Sequence, residues 1–214
     1  TENCAITTQL PGSNFSKPGS VGKVQPNVEI KIDEGSEEIL MCGPYVMLGY
    51  YNDPETTNNT IKNGWLHTGD KGKIDSDGHL YITGRVKDTF KTSKGEFIDP
   101  AKIEAQFGDV EYFSQMCVVG FGIPQPIMLV NISDIGKNLS KEELKGEIEN
   151  KIEYVNSKLF NYLRVSTIVI CKNEWTPQNE ILTPTMKIKR GNVDKMYMSK
   201  YDNWHQLNDM VIWE

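Results

Sequence analysis

The chain changes character at residues 81–88, which read YITGRVKD. Just before this point, His79–Thr83 has the length and composition of a β-strand. Basic residues cluster from Arg85 to Lys94, and helical patterns begin after this cluster. Composition alone also allows a surface loop inside one domain here. We predict a junction between two domains, residues 1–86 and residues 87–214.

Residues 1–86 carry short strand signals separated by loops rich in Gly, Pro, Ser and Asn. Val28–Ile32 alternates apolar and charged side chains, which predicts a half-buried strand. Ile39–Cys42 predicts a second strand, and Asp77-Gly78 predicts the tight hairpin turn that introduces a third. The first domain is therefore predicted to be a small β-rich subdomain.

Residues 87–214 combine helix and strand patterns. Ser140 and Glu143 predict a capping box, and apolar residues follow them at helical spacing. Asp99-Pro100 predicts the N-cap and first turn of a shorter helix. Apolar runs of strand length occupy residues 117–119, 127–131 and 165–170. We predict an α+β domain here and a mixed α/β fold for the whole chain.

Composition excludes several classes of protein. An apolar content of 38% is enough for a hydrophobic core, and a formal charge of -6 argues against nucleic-acid binding. The four cysteines form no CxxC pair, so neither a zinc site nor a disulfide framework is indicated. The sequence has no run of 18 apolar residues and no secretory pattern at its start. We expect a cytoplasmic protein, with peripheral membrane contact left open.

Two apparent motifs do not meet their chemical requirements. Residues 19–23, GSVGK, lack the glycine spacing of a phosphate loop, and valine follows the lysine where Ser or Thr is needed. Asp75, Asp77 and Gly78 resemble the start of a calcium loop, but the distal glutamate is absent. A hairpin turn is the better interpretation of the second segment.

Two segments near the junction offer groups that suit a nucleotide. Residues 65–70, WLHTGD, end in Asp70, whose carboxylate can accept hydrogen bonds from both hydroxyls of a ribose. Residues 84–88, GRVKD, present Arg85, whose guanidinium can bridge ribose or phosphate oxygens. Taken singly, the first is also compatible with ordinary turn chemistry and the second with an ordinary charged surface.

A third segment is rich in lysine. Residues 182–190, LTPTMKIKR, place Lys187 and Lys189 on one side of what we predict to be an extended segment. Such a segment suits a lysine that enters an anionic site. A solvated basic edge strand is the alternative.

In this order, the segments resemble the carboxy-terminal signatures of the adenylate-forming superfamily, which includes acyl-CoA synthetases, luciferases and peptide-synthetase adenylation domains. The matching stretches are Thr1-Glu2, 38–44, 49–54, 64–70, 81–88, 94–104 and 182–190. The resemblance implies that residues 1–86 end a large amino-terminal domain and that residues 87–214 form a mobile carboxy-terminal domain.

The resemblance also implies the nucleotide-binding residues. Asp70 is expected to hold the ribose hydroxyls of ATP, with Arg85 and Tyr81 beside it in the nucleotide site. Thr1 is expected to contact the α-phosphate region, and Glu2 to help to hold Mg²⁺.

The remaining implied roles fall in the second domain and at its start. Lys187 is expected to stabilise the charge that develops when a carboxylate attacks the α-phosphorus, although Lys189 stays open as the lysine that reaches the site. Lys87 is expected to act as the hinge of the mobile domain, and Gly95 to line the tunnel for CoA.

One departure from the family pattern bears on the substrate. Met186 stands before the lysine where many members have glycine, and this form resembles the long-chain fatty acyl branch. The family's phosphate loop is expected in an upstream part of the same enzyme, so the fragment alone is expected to be inactive. Two alternatives stay open: a ligase that adenylates aryl or amino acids or loads a carrier protein, and a non-catalytic nucleotide-binding or interaction module.

Overall fold

The computed structural model describes residues 2–3, 7–8 and 17–214. The chain forms two compact units, Thr1–Lys87, called unit 1, and Asp88–Glu214, called unit 2. Within the described residues, no helix is long and apolar enough to cross a membrane.

Unit 1 is built on an antiparallel sheet. Its strands are β1 (Thr7–Thr8), β2 (Gly22–Val24), β3 (Glu29–Ile32), β4 (Glu38–Cys42), β5 (Ile61–Lys62), β6 (Trp65–Ile74) and β7 (His79–Arg85), with one helix, α1 (Pro54–Thr60). The strand order is β1-β2-β7-β6-β4-β3, and β5 pairs with β6. The small core lies under β4, β6 and β7 and contains Ile39, Met41, Leu66 and Leu80.

The three strands of unit 1 that the sequence predicts form as β3, β4 and β7. In β3 the side chains alternate between exposed and partly buried, as its apolar and charged pattern requires. Between β6 and β7, Gly78 adopts a φ of 81° and its N–H donates to the carbonyl of Asp75 at 3.0 Å. The predicted hairpin turn is confirmed, and it brings the two long strands together.

Unit 2 combines a mixed four-stranded sheet with helices. Its strands are β8 (Phe90–Lys91), β9 (Phe97–Ile98), β10 (Phe113–Val119), β11 (Ile127–Ile132), β12 (Ile168–Ile170) and β13 (Val211–Trp213). Its helices are α2 (Pro100–Glu104), α3 (Asp134–Lys137), α4 (Lys141–Lys158), α5 (Arg190–Tyr197) and α6 (Tyr201–Gln206). Strands β10-β11-β12-β13 form the main sheet, and β8 pairs with β9.

The main sheet of unit 2 is covered on both faces. Val118 and Met128 belong to a cluster with the buried face of α4, whereas Cys117 and Leu129 belong to a cluster with α5 and α6. Strands that are buried on both faces read as continuous apolar runs rather than as alternating ones. This explains why residues 127–131 are apolar up to their last position.

Local signals account for the longest helix. The hydroxyl of Ser140 accepts from the N–H of Glu143, whose carboxylate accepts from the N–H of Ser140, so the predicted capping box is confirmed. The buried face of α4 consists of Leu144, Ile148, Ile152 and Val155.

One local prediction needs correction, and another is confirmed in position but lacks the usual side-chain hydrogen bond. The predicted strand at 165–170 begins only at Ile168, because the side chain of Asn156 binds both the N–H and the carbonyl of Val165 and holds it in a loop. Asp99 occupies the N-cap position of α2, but its side chain makes no capping hydrogen bond. The predicted α+β character of the unit is unaffected by either change.

Candidate nucleotide-binding and adenylation residues

Asp70 and Arg85 face each other across β6 and β7. They are register partners, and Nε of Arg85 lies 2.9 Å from Oδ1 of Asp70. The two side chains are 35% and 62% exposed, so a ligand can reach both without any rearrangement of the sheet. The pair therefore offers an accessible carboxylate beside an accessible guanidinium.

A bulge sets the position of Asp70. Leu40 pairs with His67 and Glu38 pairs with Lys71, so residues 68–70 of β6 stand opposite Ile39 alone. We call these three residues the Asp70 bulge. A bulge of this kind bends its strand and redirects a side chain, and bulges are over-represented next to active sites.

Hydrogen bonds hold the Asp70 bulge from within the sheet. The N–H of Gly69 donates to Oε1 of Glu38 at 2.8 Å, and Nδ1 of His67 lies 2.9 Å from Oε2 of the same carboxylate. The hydroxyl of Thr68 donates to the carbonyl of Ile39 at 2.7 Å and accepts from the N–H of Asp70 at 3.1 Å. Gly69 has a φ of 72°, a conformation that favours glycine.

Tyr81 lies on the same strand as Arg85 but is engaged elsewhere. Its position is four residues earlier, about 13 Å along an extended strand. Its hydroxyl donates to Oδ2 of Asp75 at 3.3 Å, near the hairpin turn. Burial, with the charge of Asp75, raises the pKa of Tyr81. The structure thus brings together Asp70 and Arg85, and it places the Tyr81 hydroxyl at the other end of the hairpin.

Glu2 is held by residues of the 46–50 segment. Its carbonyl accepts from the N–H of Met47 at 2.9 Å, and the hydroxyl of Tyr50 donates to its Oε1 at 3.1 Å. A hydrogen bond from its own backbone N–H, assisted by Tyr50, lowers the pKa of Glu2. An ionised carboxylate is a ligand type that Mg²⁺ takes, so Glu2 fits the predicted role. Thr1 lies outside the described residues.

Lys187 sits in a tight turn, so the prediction of an extended segment is wrong. The N–H of Thr183 donates to the carbonyl of Lys187 at 2.8 Å, and the N–H of Lys189 donates to the carbonyl of Ile181 at 2.8 Å. Leu182 and Ile188 form an antiparallel bridge between these bonds. We call residues 182–189 the lysine turn. These backbone hydrogen bonds join residues that are only a few positions apart, and the periodicity of apolar residues in the sequence does not reveal such a turn.

The lysine turn presents both lysines to solvent. Lys187 and Lys189 are exposed, and within residues 17–214 neither makes an ion pair. The backbone N–H of Lys187 donates to the hydroxyl of Thr183 at 3.0 Å. Met186 has a φ of 64°, so the residue before Lys187 occupies the left-handed region. This backbone requirement gives a physical reason for glycine at the position in the family pattern.

Arg190 anchors the end of the lysine turn to the core of unit 2. Its Nε lies 3.0 Å from Oδ2 of Asp88, its Nη2 donates to Oε2 of Glu104, and its Nη1 donates to the carbonyl of Val118 at 3.1 Å. The N–H of Val118 donates to Oε1 of Glu104 at 2.7 Å. Burial raises the pKa of Glu104, and the contact with Arg190 opposes this effect.

Lys87 and Gly95 lie near the start of unit 2. Lys87 is exposed within the 3₁₀ turn Val86–Asp88. Gly95 has a φ of 88° in the turn between β8 and β9, where its N–H donates to the carbonyl of Thr92 at 3.0 Å. A methyl group there would meet only Cε of Lys91 at 3.8 Å, so the backbone conformation, rather than crowding within the unit, requires glycine.

Two positioning residues were missed by sequence reasoning. Glu38 and Arg190 both lie in stretches that resemble the family, but the resemblance implies no role for either residue. Glu38 is 29 residues from His67 and Arg190 is 86 residues from Glu104 along the chain. The signal that could have identified them is a charged side chain inside an otherwise apolar segment or a turn.

Comparison with known proteins identifies the second half of the chain. The family described as AMP-binding enzyme C-terminal domain matches residues 87–206. The chain is 30% identical to the palmitoyl-CoA ligase FUM16 of Gibberella moniliformis over 222 aligned positions, which cover 89% of this chain and 33% of that protein. It is 32% identical to long-chain-fatty-acid–CoA ligase 1 of Homo sapiens, covering 95% of this chain and 33% of that one. The chain thus spans about a third of the length of these relatives.

Solved structures agree on the fold. The adenylation domain of a carboxylate reductase from Mycobacterium chelonae superposes with a TM-score of 0.74 at 22% identity, covering 86% of this chain and 32% of that one. O-succinylbenzoate coenzyme A synthetase from Bacillus subtilis, solved in complex with AMP, gives a TM-score of 0.69 at 26% identity, covering 89% and 38%. The antiparallel sheet of unit 1 and the mixed sheet of unit 2 therefore match adenylation-domain structures.

Proposed function

Because the chain belongs to the AMP-binding enzymes, through their C-terminal domain, we propose that the complete protein is an AMP-forming acyl-CoA ligase. It joins a carboxylic acid to ATP as an acyl-adenylate and then transfers the acyl group to CoA. We further propose a long-chain fatty acid as the substrate. The support is that relatives near 30% identity are named as long-chain fatty acid or palmitoyl-CoA ligases.

The accessible pair of Asp70 and Arg85 is the observation that carries this proposal. The carboxylate of Asp70 accepts hydrogen bonds from the 2′- and 3′-hydroxyls of the ribose of ATP. Arg85 holds the carboxylate in place through Nε, at 2.9 Å, and leaves its remaining N–H groups for ribose or phosphate oxygens. Thr1 completes the proposed nucleotide-binding set, whereas the hydroxyl of Tyr81 is held by Asp75 near the hairpin turn, away from Asp70.

Lys187 supplies positive charge during adenylation. An oxygen of the fatty acid carboxylate attacks the α-phosphorus, the bond to the bridging oxygen breaks, and pyrophosphate leaves with the electron pair. Positioned charges lower the energy of such a transition state more than any covalent help from the protein does. As an exposed ammonium without a carboxylate partner in residues 17–214, Lys187 is suited to this role. We propose that Glu2 would help to hold Mg²⁺, which would supply positive charge beside the phosphates.

The second half-reaction is thioester formation, to which we assign Gly95. The sulfur of CoA loses its proton to solvent and attacks the acyl carbon, and AMP leaves with the electron pair of the broken carbon–oxygen bond. We assign residues 1–86 to the end of the large nucleotide-binding domain and residues 87–214 to a mobile domain that turns about Lys87. Gly95 then lines the path of CoA. A hinge needs only a few residues that absorb the change of backbone angles.

Separate assay of the two half-reactions tests this assignment. In the full-length protein, Lys187→Ala should lower acyl-adenylate formation from palmitate and ATP by at least about 100-fold, the loss typical for one electrostatic group. Thioester formation from supplied palmitoyl-AMP and CoA should stay within about threefold. Lys189→Ala is the matched control, and it should leave both steps nearly unchanged. Equal loss of both half-reactions in Lys187→Ala would rule out the proposed role.

A further inference from the structure

We propose that Glu38 is a positioning residue for the ribose of ATP. It acts through the Asp70 bulge and makes the enzyme selective for nucleotides with a free 2′,3′-diol. The proposal rests on the proposed function, because it assumes that Asp70 binds ribose. The positioning proposal goes beyond the proposed function because it assigns the selectivity of the site to a side chain that touches no nucleotide.

One oxygen of Glu38 binds within the bulge, and the other binds the residue that precedes it. Oε1 accepts from the N–H of Gly69 at 2.8 Å, and Oε2 lies 2.9 Å from Nδ1 of His67. Its side chain is only 13% exposed, so water competes poorly for these bonds. The carboxylate therefore spans the bulge from the residue before it to the residue at its centre.

The bulge needs such support because its backbone has left the β4–β6 ladder. Residues 68–70 stand opposite one residue of β4, so they cannot all pair within the β4–β6 ladder. The carboxylate of Glu38 accepts a hydrogen bond from the N–H of Gly69, and the hydroxyl of Thr68 accepts one from the N–H of Asp70. These two bonds link Glu38 to the backbone of Asp70. Without Glu38, the N–H of Gly69 loses its partner, and the contact with Arg85 is left to hold the carboxylate of Asp70 on a less restrained backbone.

A carboxylate binds two neighbouring hydroxyls only when its direction is fixed. Each hydrogen bond to a charged group strengthens binding by about 10-fold or more when its geometry is kept. A shift of about 1 Å removes much of that gain. Glu38 should thus affect the binding of nucleotides that carry the diol and leave the binding of nucleotides that lack it nearly unchanged.

The test compares the affinities of the full-length protein for ATP and 2′,3′-dideoxy-ATP by isothermal titration calorimetry. We expect the wild-type protein to bind ATP at least about 10-fold more tightly. Glu38→Ala should reduce this ratio to about twofold, and Asp70→Ala should reduce it equally. The double variant should go no further, because the two residues act through one interaction.

Two further variants separate positioning from general stability. Glu38→Gln keeps an oxygen for the N–H of Gly69, so it should retain most of the ratio. Glu29→Ala, an exposed glutamate on neighbouring β3, should retain all of it. If Glu38→Ala fails to fold, Thr68→Val, which removes the link to Asp70 at similar volume, should lower the ratio instead.

Each result decides a separate point. If Glu38→Ala weakens both nucleotides equally, or if a folded Thr68→Val keeps the full ratio, the positioning role is overturned and the proposed function stands. If the wild-type protein does not distinguish the nucleotides, or if Asp70→Ala keeps the ratio, the ribose-binding role of Asp70 fails, and the positioning proposal fails with it.

Discussion

Arg190 donates from Nη2 to Oε2 of Glu104, and the pair joins the start of α5 to the end of α2. Both side chains are largely buried, at 19% and 16% exposure. The N–H and carbonyl of Val118 complete the contact from β10. Since Arg190 directly follows the lysine turn, the turn is fixed to the core of unit 2 at its carboxy-terminal end.

Arg190→Met should therefore destabilise the protein. The substitution leaves the carboxylate of Glu104 buried without its cation, and removing one partner of a buried pair costs about 3–5 kcal/mol. Urea denaturation should report this loss. Arg164→Met, at an exposed arginine, should change the free energy of unfolding by no more than about 0.5 kcal/mol. Similar losses in the two variants would contradict the importance of the pair.

Gly95→Ala should slow thioester formation and spare adenylation, whereas Lys187→Ala should do the reverse. With a φ of 88°, an alanine at this position carries a strain of about 1–2 kcal/mol, which unfolding measurements should detect. If Gly95 lines the path of CoA, the step from acyl-adenylate to thioester should also slow, while adenylation is retained.

Gly108→Ala provides the control for Gly95. Gly108 has a φ of -65°, and an added methyl group would lie 3.5 Å from the carbonyl of Ala105, an ordinary contact. This variant should be neutral or more stable by about 0.5 kcal/mol, with both half-reactions intact. If Gly95→Ala leaves the thioester step as fast as Gly108→Ala does, Gly95 has no part in CoA binding.

Asp75 should make unit 1 sensitive to acid. A hydrogen bond from Nζ of Lys17, at 2.8 Å, and one from the N–H of His79 hold the pKa of Asp75 well below its ordinary value of 3.8. A carboxyl with a lowered folded-state pKa adds stability that is fully present above its unfolded-state pKa and is lost as pH falls toward the folded value.

Thermal unfolding should therefore occur at steadily lower temperature as the pH falls from about 5 to 2. Asp75→Asn should be less stable than the wild-type protein at pH 6 and should show a shallower decline. Glu34→Gln, at an exposed loop position, should follow the wild-type curve. Parallel curves for Asp75→Asn and wild type would show that this carboxyl does not contribute.

Sequence reasoning succeeds where a structure depends on neighbouring residues. The capping box of Ser140 and Glu143 and the Asp77-Gly78 turn are each complete within five residues, so short-range rules identify them. Strand β6 was not predicted, although it is ten residues long. The Asp70 bulge interrupts its alternation of side chains, and a pattern with period two is then no longer visible.

In the candidate site, too, features that depend on residues distant in sequence were not predicted. The family resemblance supplied Asp70 and Arg85 as separate residues, but their pairing depends on the register of two strands. The lysine turn was predicted as an extended segment because a methionine at positive φ is not a turn signal. Glu38 was overlooked because its partners come close only when β4 and β6 pair.

Met186→Gly should stabilise the lysine turn. Met186 is 54% exposed and has a φ of 64°, so it bears the left-handed strain without much compensating burial. Relief of about 1–2 kcal/mol of strain exceeds the entropic loss of about 0.5–1 kcal/mol that glycine brings. A net gain of about 0.5–1 kcal/mol should follow in urea denaturation, with adenylation retained because the turn keeps its backbone bonds.

The control for Met186→Gly is Met196→Gly. Met196 is 44% exposed in α5, where glycine costs about 1 kcal/mol because it loses more backbone freedom on folding than other residues do. Opposite signs for the two methionines would show that backbone conformation, and not the loss of a methionine side chain, decides the outcome. If both variants lose stability equally, Met186 is not strained, and the turn does not explain the glycine of the family pattern.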